Sequence, residues 1–199
     1  MDRYCVLHQG IFVADGISIN FINSRRWRRK HLDIYSNAPC MLYCVDLMDY
    51  SVLESEHGPV TRMTGCLVHF DSVVRSKYFK STSIMLVFSN LSRFLSSLQK
   101  KPLSVCFPDY VGHGDPAKAF GYLKSKFLEL NTDDREIFVH AGELADPGMY
   151  DFIVSSVKAS LLSRALQRGA TLGPNHSGRS RSGSGLIRSG IRNSLLPSA

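Results

Sequence analysis

Long apolar runs are missing from this sequence. No stretch approaches the ~20 consecutive apolar residues that a membrane-spanning helix needs. The amino-terminal MDRYCVLHQG has neither a long apolar segment nor a small-residue cleavage site. Both an integral membrane protein and a secreted protein are therefore disfavoured. We expect a cytoplasmic protein without a transmembrane segment.

Motifs that bind metals or supply nucleophiles are missing. The cysteines are odd in number and scattered among hydrophobic segments, which favours reduced, buried thiols over a disulfide framework. No C-x-x-C pair, H-E-x-x-H or G-x-S-x-G motif occurs. We therefore predict no metal site and no hydrolase nucleophile. The five cysteines are Cys5, Cys40, Cys44, Cys66 and Cys106.

Acidic residues are missing from residues 165–199, which hold five arginines. A second basic segment, residues 25–30 (RRWRRK), holds five more basic side chains, so the rest of this chain of net charge +7 is mildly acidic. Residues 173–199 are rich in Ser, Gly and Arg and lack aromatic residues, which predicts a disordered tail. This arginine-rich tail either only keeps the protein solvated or binds RNA or anionic lipid nonspecifically.

The whole chain is 44% hydrophobic, enough for one domain with a core. Short apolar runs alternate with stretches of helical spacing, a pattern typical of an α/β fold with a mostly parallel sheet and flanking helices. We predict strands over 38–47, 83–88 and 136–140, and helices over 61–76, 118–130 and 150–166. The expected core residues are Tyr43, Val45, Phe70, Phe79, Leu86, Phe88, Phe107 and Phe138.

Several separate blocks occur in the order found in one family. They are Tyr43-Cys44-Val45-Asp46-Leu47-Met48-Asp49-Tyr50, Arg62-Met63, Phe70-Asp71-Ser72, Lys77-Tyr78-Phe79, Thr82-Ser83-Ile84, Pro102-Leu103-Ser104-Val105-Cys106-Phe107-Pro108-Asp109-Tyr110-Val111-Gly112 and Glu136-Ile137-Phe138-Val139-His140. Over roughly residues 20–172 the chain resembles the carboxyl-terminal half of heterotrimeric G-protein α subunits.

The resemblance implies a partial Ras-like domain of the P-loop NTPase type, without the family's amino-terminal strands and helical domain. It divides the chain into a divergent segment (1–19), the α-like domain (20–172) and the tail (173–199). We expect residues 10–21 to add one strand and the missing strands to leave an unpaired sheet edge. The family binds GTP and Mg²⁺, hydrolyses GTP, and signals with a βγ dimer, a receptor and effectors.

The motifs that touch phosphate and Mg²⁺ in the family are absent or altered here. No G-x-x-x-x-G-K-[ST] loop occurs. At the positions of the family's D-V-G-G-Q stand Asn20, Phe21, Ile22, Asn23 and Ser24. Asn20 lacks the charge that supports the metal, Asn23 adds a side chain where a glycine meets phosphate, and Ser24 is too short to orient the attacking water. By family position, then, no catalytic residue is intact.

The motifs that hold guanine in the family are altered as well. In place of N-K-x-D stand Ser89, Asn90, Leu91 and Ser92, so the carboxylate that selects guanine is lost. In place of T-C-A-T stand Gly142, Glu143, Leu144 and Ala145, where Glu143 would repel an anionic ligand. Asp146 is expected only to cap the helix that follows. GTP, GDP and Mg²⁺ thus remain cofactors by resemblance alone.

The basic segment falls on the family's switch helix, which binds the βγ dimer and effectors. Arg25, Arg28, Arg29 and Lys30 match the charges of that helix, and Trp27 adds an aromatic side chain. A merely solvated basic face is the alternative. Receptor binding is doubtful because the chain extends beyond the position where the family ends.

We therefore expect a divergent α-subunit relative without GTPase activity that binds βγ or an effector, in the cytoplasm or peripherally at the inner face of the plasma membrane. GTP binding is the alternative if a longer form supplies the phosphate loop. Binding of RNA or anionic lipid by the tail is the third hypothesis, with no specific nucleic-acid recognition expected.

Overall fold

The computed structural model describes residues 8–14, 17–23, 38–54, 60–133 and 135–171. Strands β1 (His8–Ala14) and β2 (Ile17–Asn23) form an antiparallel hairpin, in which Ala14 pairs with Ile17. The single strand expected over residues 10–21 is therefore wrong. The sequence between the two strands is Asp15-Gly16, and this dipeptide is a strong signal for a two-residue hairpin turn.

A second sheet contains three parallel strands in the order β3-β4-β5. They are β3 (Cys40–Asp46), β4 (Ser83–Ser89) and β5 (Ile137–Gly142), and all three were predicted. β4 is the central strand and is buried at every position, as expected for a strand covered on both faces. The predicted α/β fold with a mostly parallel sheet is confirmed.

Four α-helices lie in the described residues: α1 (Arg62–Val74), α2 (Leu91–Ser97), α3 (Pro116–Leu128) and α4 (Pro147–Thr171). Side-chain oxygens fix two of their starts: Thr61 accepts from the Thr64 N–H, and Asp115 from the Ala117 and Lys118 N–H groups. Helix α2 was not predicted, and the other three were. No helix of the described residues has the length and apolar character to cross a membrane.

The main core lies between the sheet, α1 and α3. Phe127 of α3 packs edge-on against Phe70 of α1 and Phe88 of β4, with ring centroids 5.4 and 5.5 Å apart. The Tyr43 hydroxyl also donates to the Cys66 carbonyl oxygen (3.0 Å), which ties α1 to β3. Six of the eight predicted core residues are buried, whereas Phe107 and Phe138 are half-buried.

Helix α4 covers the opposite face of β4 and β5. Met85 and Val87 are buried and alternate along β4 with the residues of the main core, so they face the other way. Met149, Val154 and Val157 supply the buried apolar side of α4. Near the helix centre, the fully buried Ser160 hydroxyl donates to the Ser83 hydroxyl (2.7 Å).

Strand β3 has one partner, β4, among the described residues, so its other edge is unpaired there. This matches the open edge expected from the sequence. Cys44 in this strand is exposed, while Cys40, Cys66 and Cys106 are partly buried, and all four thiols are free. The prediction of reduced thiols holds for these four, but the expectation of burial was wrong for Cys44.

Candidate functional site

The carboxyl ends of β3, β4 and β5 meet at one edge of the sheet, because the three strands are parallel. In open α/β sheets, ligands bind in the crevice outside this edge. The strands end there at Asp46, Ser89 and Gly142. Three altered motif positions, Ser89, Asn90 and Ser92, therefore lie at the edge where a ligand is expected.

The loops after β3 and β4 are joined by an Asp46–Asn90 hydrogen bond. The Asn90 side-chain amide donates to Asp46 Oδ1 (2.8 Å), and the same oxygen accepts from the Met48 N–H (2.9 Å). This second bond caps the short 3₁₀ helix Leu47–Ser51. The Asp46 carboxylate is thus already engaged by two donors of its own chain.

Asn90 has a left-handed backbone conformation, with φ of 61°. Asparagine tolerates this conformation better than most other residues with a side chain. The preceding Ser89 is buried, and its hydroxyl donates to the Val45 carbonyl oxygen (3.3 Å). Both residues that replace the start of N-K-x-D therefore bond to the end of β3.

Glu143 lies at the start of α2 as a bound carboxylate. Its Oε1 accepts from the Ser92 backbone N–H (3.2 Å), close to the positive end of that helix. Ser92 itself is exposed, and so is Leu144, with 59% of its surface accessible. The segment Gly142–Ala145 therefore contains a carboxylate, and this carboxylate accepts a hydrogen bond from a backbone N–H of the same chain.

The charge at this edge is negative. Burial and the nearby Asp46 carboxylate raise the pKa of Asp49, while Arg62 opposes the shift. Among the described residues, no group of three or more His, Cys, Asp or Glu side chains has the arrangement to hold a metal ion. The described side chains at this edge are mainly hydrogen-bond acceptors, among them the carboxylates of Asp46 and Glu143.

The other predicted site residues are separate from this edge or undescribed. Asn20 and Asn23 lie in β2, where they pair with Ile11 and His8 in the separate hairpin. Ser24, Arg25, Trp27, Arg28, Arg29 and Lys30 lie outside the described residues. Asp146 caps α4 as expected, because its Oδ1 accepts from the Gly148 N–H (2.9 Å).

Sequence comparison identifies the family. The sequence model described as "G-protein alpha subunit" matches residues 14–161, most of the chain. The chain belongs to the G-protein α-subunit family. Within this family, the three-stranded parallel sheet with its helices is part of a Ras-like fold.

Similar curated α subunits come from fungi. The chain is 32% identical to "Guanine nucleotide-binding protein alpha-3 subunit" of Neurospora crassa over 72% of its own length and 40% of that protein. It is 29% identical to the "alpha-2 subunit" proteins of Saccharomyces cerevisiae and Kluyveromyces lactis, over 74% of its length and 33% and 27% of theirs. The chain thus spans well under half the length of these α subunits.

Two features at the carboxyl edge of the sheet were not predicted from the sequence. The sequence contains a pattern that predicts helix α2: apolar residues with helical spacing that pack in or against the core, namely Leu91, Phe94, Leu95 and Leu98. The sequence predicts that Glu143 repels an anionic ligand, and its hydrogen bond to the start of α2 is an additional contact that was not predicted. Ser92 and Glu143 are 51 residues apart, and no local pattern predicts such a contact.

Proposed function

We propose that this chain is an α-subunit-like signalling module that acts by binding a partner protein, the βγ dimer or an effector, without a guanine-nucleotide switch. The main support for this proposal comes from the carboxyl edge of the sheet, where polar groups of the chain are hydrogen-bonded to one another. Asn90 is bonded to Asp46, and the Ser92 amide is bonded to Glu143.

Loss of guanine recognition follows from the chemistry of this edge. A site that hydrogen-bonds a polar edge of its ligand prefers that ligand over analogues without the edge by roughly 10⁴ or more. The site loses this preference when its own hydrogen-bond acceptor is missing. The Ser92 hydroxyl cannot replace a carboxylate that accepts two bonds. The Glu143 carboxylate is occupied by a backbone N–H and adds negative charge close to where a nucleotide would approach. These residues do not fit the recognition of a guanine base.

The partner-binding part of the proposal rests on the basic segment, residues 25–30. Arg25, Arg28, Arg29 and Lys30 give it a dense positive charge around Trp27. Arginine and tryptophan are enriched among the residues that dominate protein–protein binding energy. Positive charge at this density also accelerates association with an acidic partner.

Nucleotide binding is tested by titrating the chain with a fluorescent GDP or GTP analogue in the presence of Mg²⁺. We expect no saturable binding at micromolar nucleotide and no difference between guanine and adenine analogues. Micromolar, guanine-selective binding would overturn this part of the proposal.

Partner binding is tested by pull-down with purified βγ dimer. The variant Arg25→Glu/Arg28→Glu/Lys30→Glu should lose most of the captured βγ. Its matched control is Lys80→Glu/Lys100→Glu/Lys101→Glu, which reverses three charges at exposed positions of the described structure. Equal recovery of βγ by the wild type and both variants, or no capture at all, would contradict binding through the basic segment.

A guanine-nucleotide-binding signal transducer is the second candidate, favoured by the family match and by the names of the relatives. It requires a longer form that supplies the phosphate loop. The same titration on such a form would support it if guanine nucleotide bound tightly. In either case we place the protein in the cytoplasm, or at the inner face of the plasma membrane through its partners.

A further inference from the structure

Strand β3 has a regular row of backbone groups that its neighbour β4 does not use. The Ser83 N–H donates to the Pro39 carbonyl oxygen (3.0 Å), and Cys40 is the register partner of Ser83. In such a parallel ladder, alternate residues of β3 bond to β4, beginning with Pro39. The other residues point their N–H and C=O groups toward the edge where the described residues provide no strand. They are Cys40, Leu42, Cys44 and Asp46.

The sheet face beside this edge is only partly covered. Tyr43 and Val45 belong to the main core, so Leu42 and Cys44 alternate with them on the face that carries α4. Helix α4 packs on β4 and β5, and it leaves Leu42 half-buried and Cys44 exposed. A strand that paired with β3 would therefore gain backbone hydrogen bonds and would also cover these two side chains.

Opposite charges lie at the two ends of β3 on this same face. Asp46 ends the strand, in line with Leu42 and Cys44. At the other end, the Arg164 guanidinium of α4 donates to the Ala38 carbonyl oxygen (3.2 Å), just before the strand begins. An antiparallel strand with the same charges would place its acidic end beside the basic end of β3, and its basic end beside Asp46. A second copy of β3 satisfies both conditions by symmetry.

We propose that the chain forms a dimer in which the β3 strands of two copies pair antiparallel about a two-fold axis at Tyr43. The outward backbone groups of Leu42 then bond to those of Cys44 in the second copy, and Asp46 lies opposite the second copy's Cys40. The two three-stranded sheets become one sheet of six strands. Because the same surface is used by both copies, assembly stops at two. The dimer does not involve residues 25–30 and is independent of the proposed function.

Analytical ultracentrifugation of the full chain over a range of protein concentrations tests the dimer. The apparent molar mass should rise from that of one chain to that of two chains and then stay constant. Cys44→Pro removes an outward N–H from each copy without removing a bond to β4, and proline is accepted at such a position of an edge strand. Because two symmetric hydrogen bonds are lost, the dissociation constant should rise by about tenfold or more.

The matched control is Cys44→Thr, which also removes the thiol but keeps the N–H and the preference for strand. This variant should dimerise like the wild type. Far-ultraviolet circular dichroism of both variants checks that the monomer fold is retained.

Cross-linking tests the register of the two strands. Leu42 lies opposite the second copy's Cys44 in the proposed pairing, with Cα atoms about 5.5 Å apart, a separation that a disulfide can span. Mild oxidation of Leu42→Cys should therefore give a disulfide-linked dimer, whereas Leu42→Cys/Cys44→Thr should give far less of it. This measurement does not depend on the folding of the proline variant.

Three results would overturn the dimer. The first is the mass of a single chain at every concentration, and hydrogen exchange that then found protected Leu42 and Cys44 amides would show that the chain covers its own edge. The second is a mass that rises beyond two chains, which indicates open-ended pairing. The third is equal dissociation constants for Cys44→Pro and Cys44→Thr, or equal cross-linking with and without Cys44. Since βγ capture is tested with variants of the basic segment, failure of the dimer leaves the proposed function untouched, and the reverse also holds.

Discussion

The Asp46–Asn90 hydrogen bond gives a stability prediction with a worked magnitude. In Asn90→Gly the bond to the Asp46 carboxylate is lost, while the left-handed backbone is easily kept. A hydrogen bond to a charged group contributes about 1.5–3 kcal/mol, and we expect the lower part of that range because both residues are half-buried. In Asn90→Ala the free energy of unfolding should fall by roughly 1–2 kcal/mol more, since alanine disfavours positive φ.

The measurement is urea unfolding followed by far-ultraviolet circular dichroism, arranged as a double-mutant cycle with Asp46→Ala. The cycle cancels the loss of the cap on residues 47–51 and the added freedom of glycine in the unfolded chain. We expect a coupling free energy between Asp46 and Asn90 of about 1–2 kcal/mol. A coupling near zero, or equal stability of the Gly and Ala variants, would refute the reasoning that the chain itself holds this edge together.

Three further predictions follow from the same structure. Phe127→Ala should lower the free energy of unfolding by about 3–5 kcal/mol, because it leaves a cavity among buried rings. A decrease of less than about 1 kcal/mol in urea unfolding would contradict the described core packing. Ser160→Ala should lower the free energy of unfolding by about 1–2 kcal/mol, because the Ser83 hydroxyl and the Pro39 carbonyl lose a buried partner. Amide hydrogen exchange in α4 should be faster in this variant, and unchanged exchange would contradict the prediction. Burial lowers the pKa of His140, so its neutral form favours the fold above about pH 6.5 and that stability is lost as the pH falls. The free energy of unfolding should accordingly depend less on pH between about pH 8 and pH 5 in His140→Phe than in the wild type, and equal pH dependence would contradict the assignment.

The parallel sheet was predictable because each of its strands is a short apolar run. Residues 83–88, for example, contain no charged side chain, and such runs are typical of a strand buried on both faces. The hairpin resembles one strand in the sequence because apolar residues lie close on both sides of Asp15-Gly16, and only this dipeptide separates them. Helix α2 is harder to predict because it spans only seven residues, about two turns, directly after β4.

The contacts of the candidate site could only be predicted in part. The sequence places Ser89, Asn90 and Ser92 at the carboxyl edge once the strands are recognised, because parallel strands end together. It does not specify that Asn90 turns its amide to Asp46, or that Glu143 bonds to the Ser92 amide. Those contacts span 44 and 51 residues and depend on how the loops cross the edge after the sheet has formed.

The edge of β3 that is unpaired among the described residues has a consequence for handling the protein in solution. Edge strands usually avoid self-association by carrying lysine, proline or a bulge, and Cys40–Asp46 (CMLYCVD) has no lysine or proline and pairs with β4 in continuous register. The apparent molar mass of the isolated chain, measured by light scattering, should therefore increase with protein concentration. A lysine at Cys44, the exposed position of this strand, is the substitution of choice for keeping the chain monomeric.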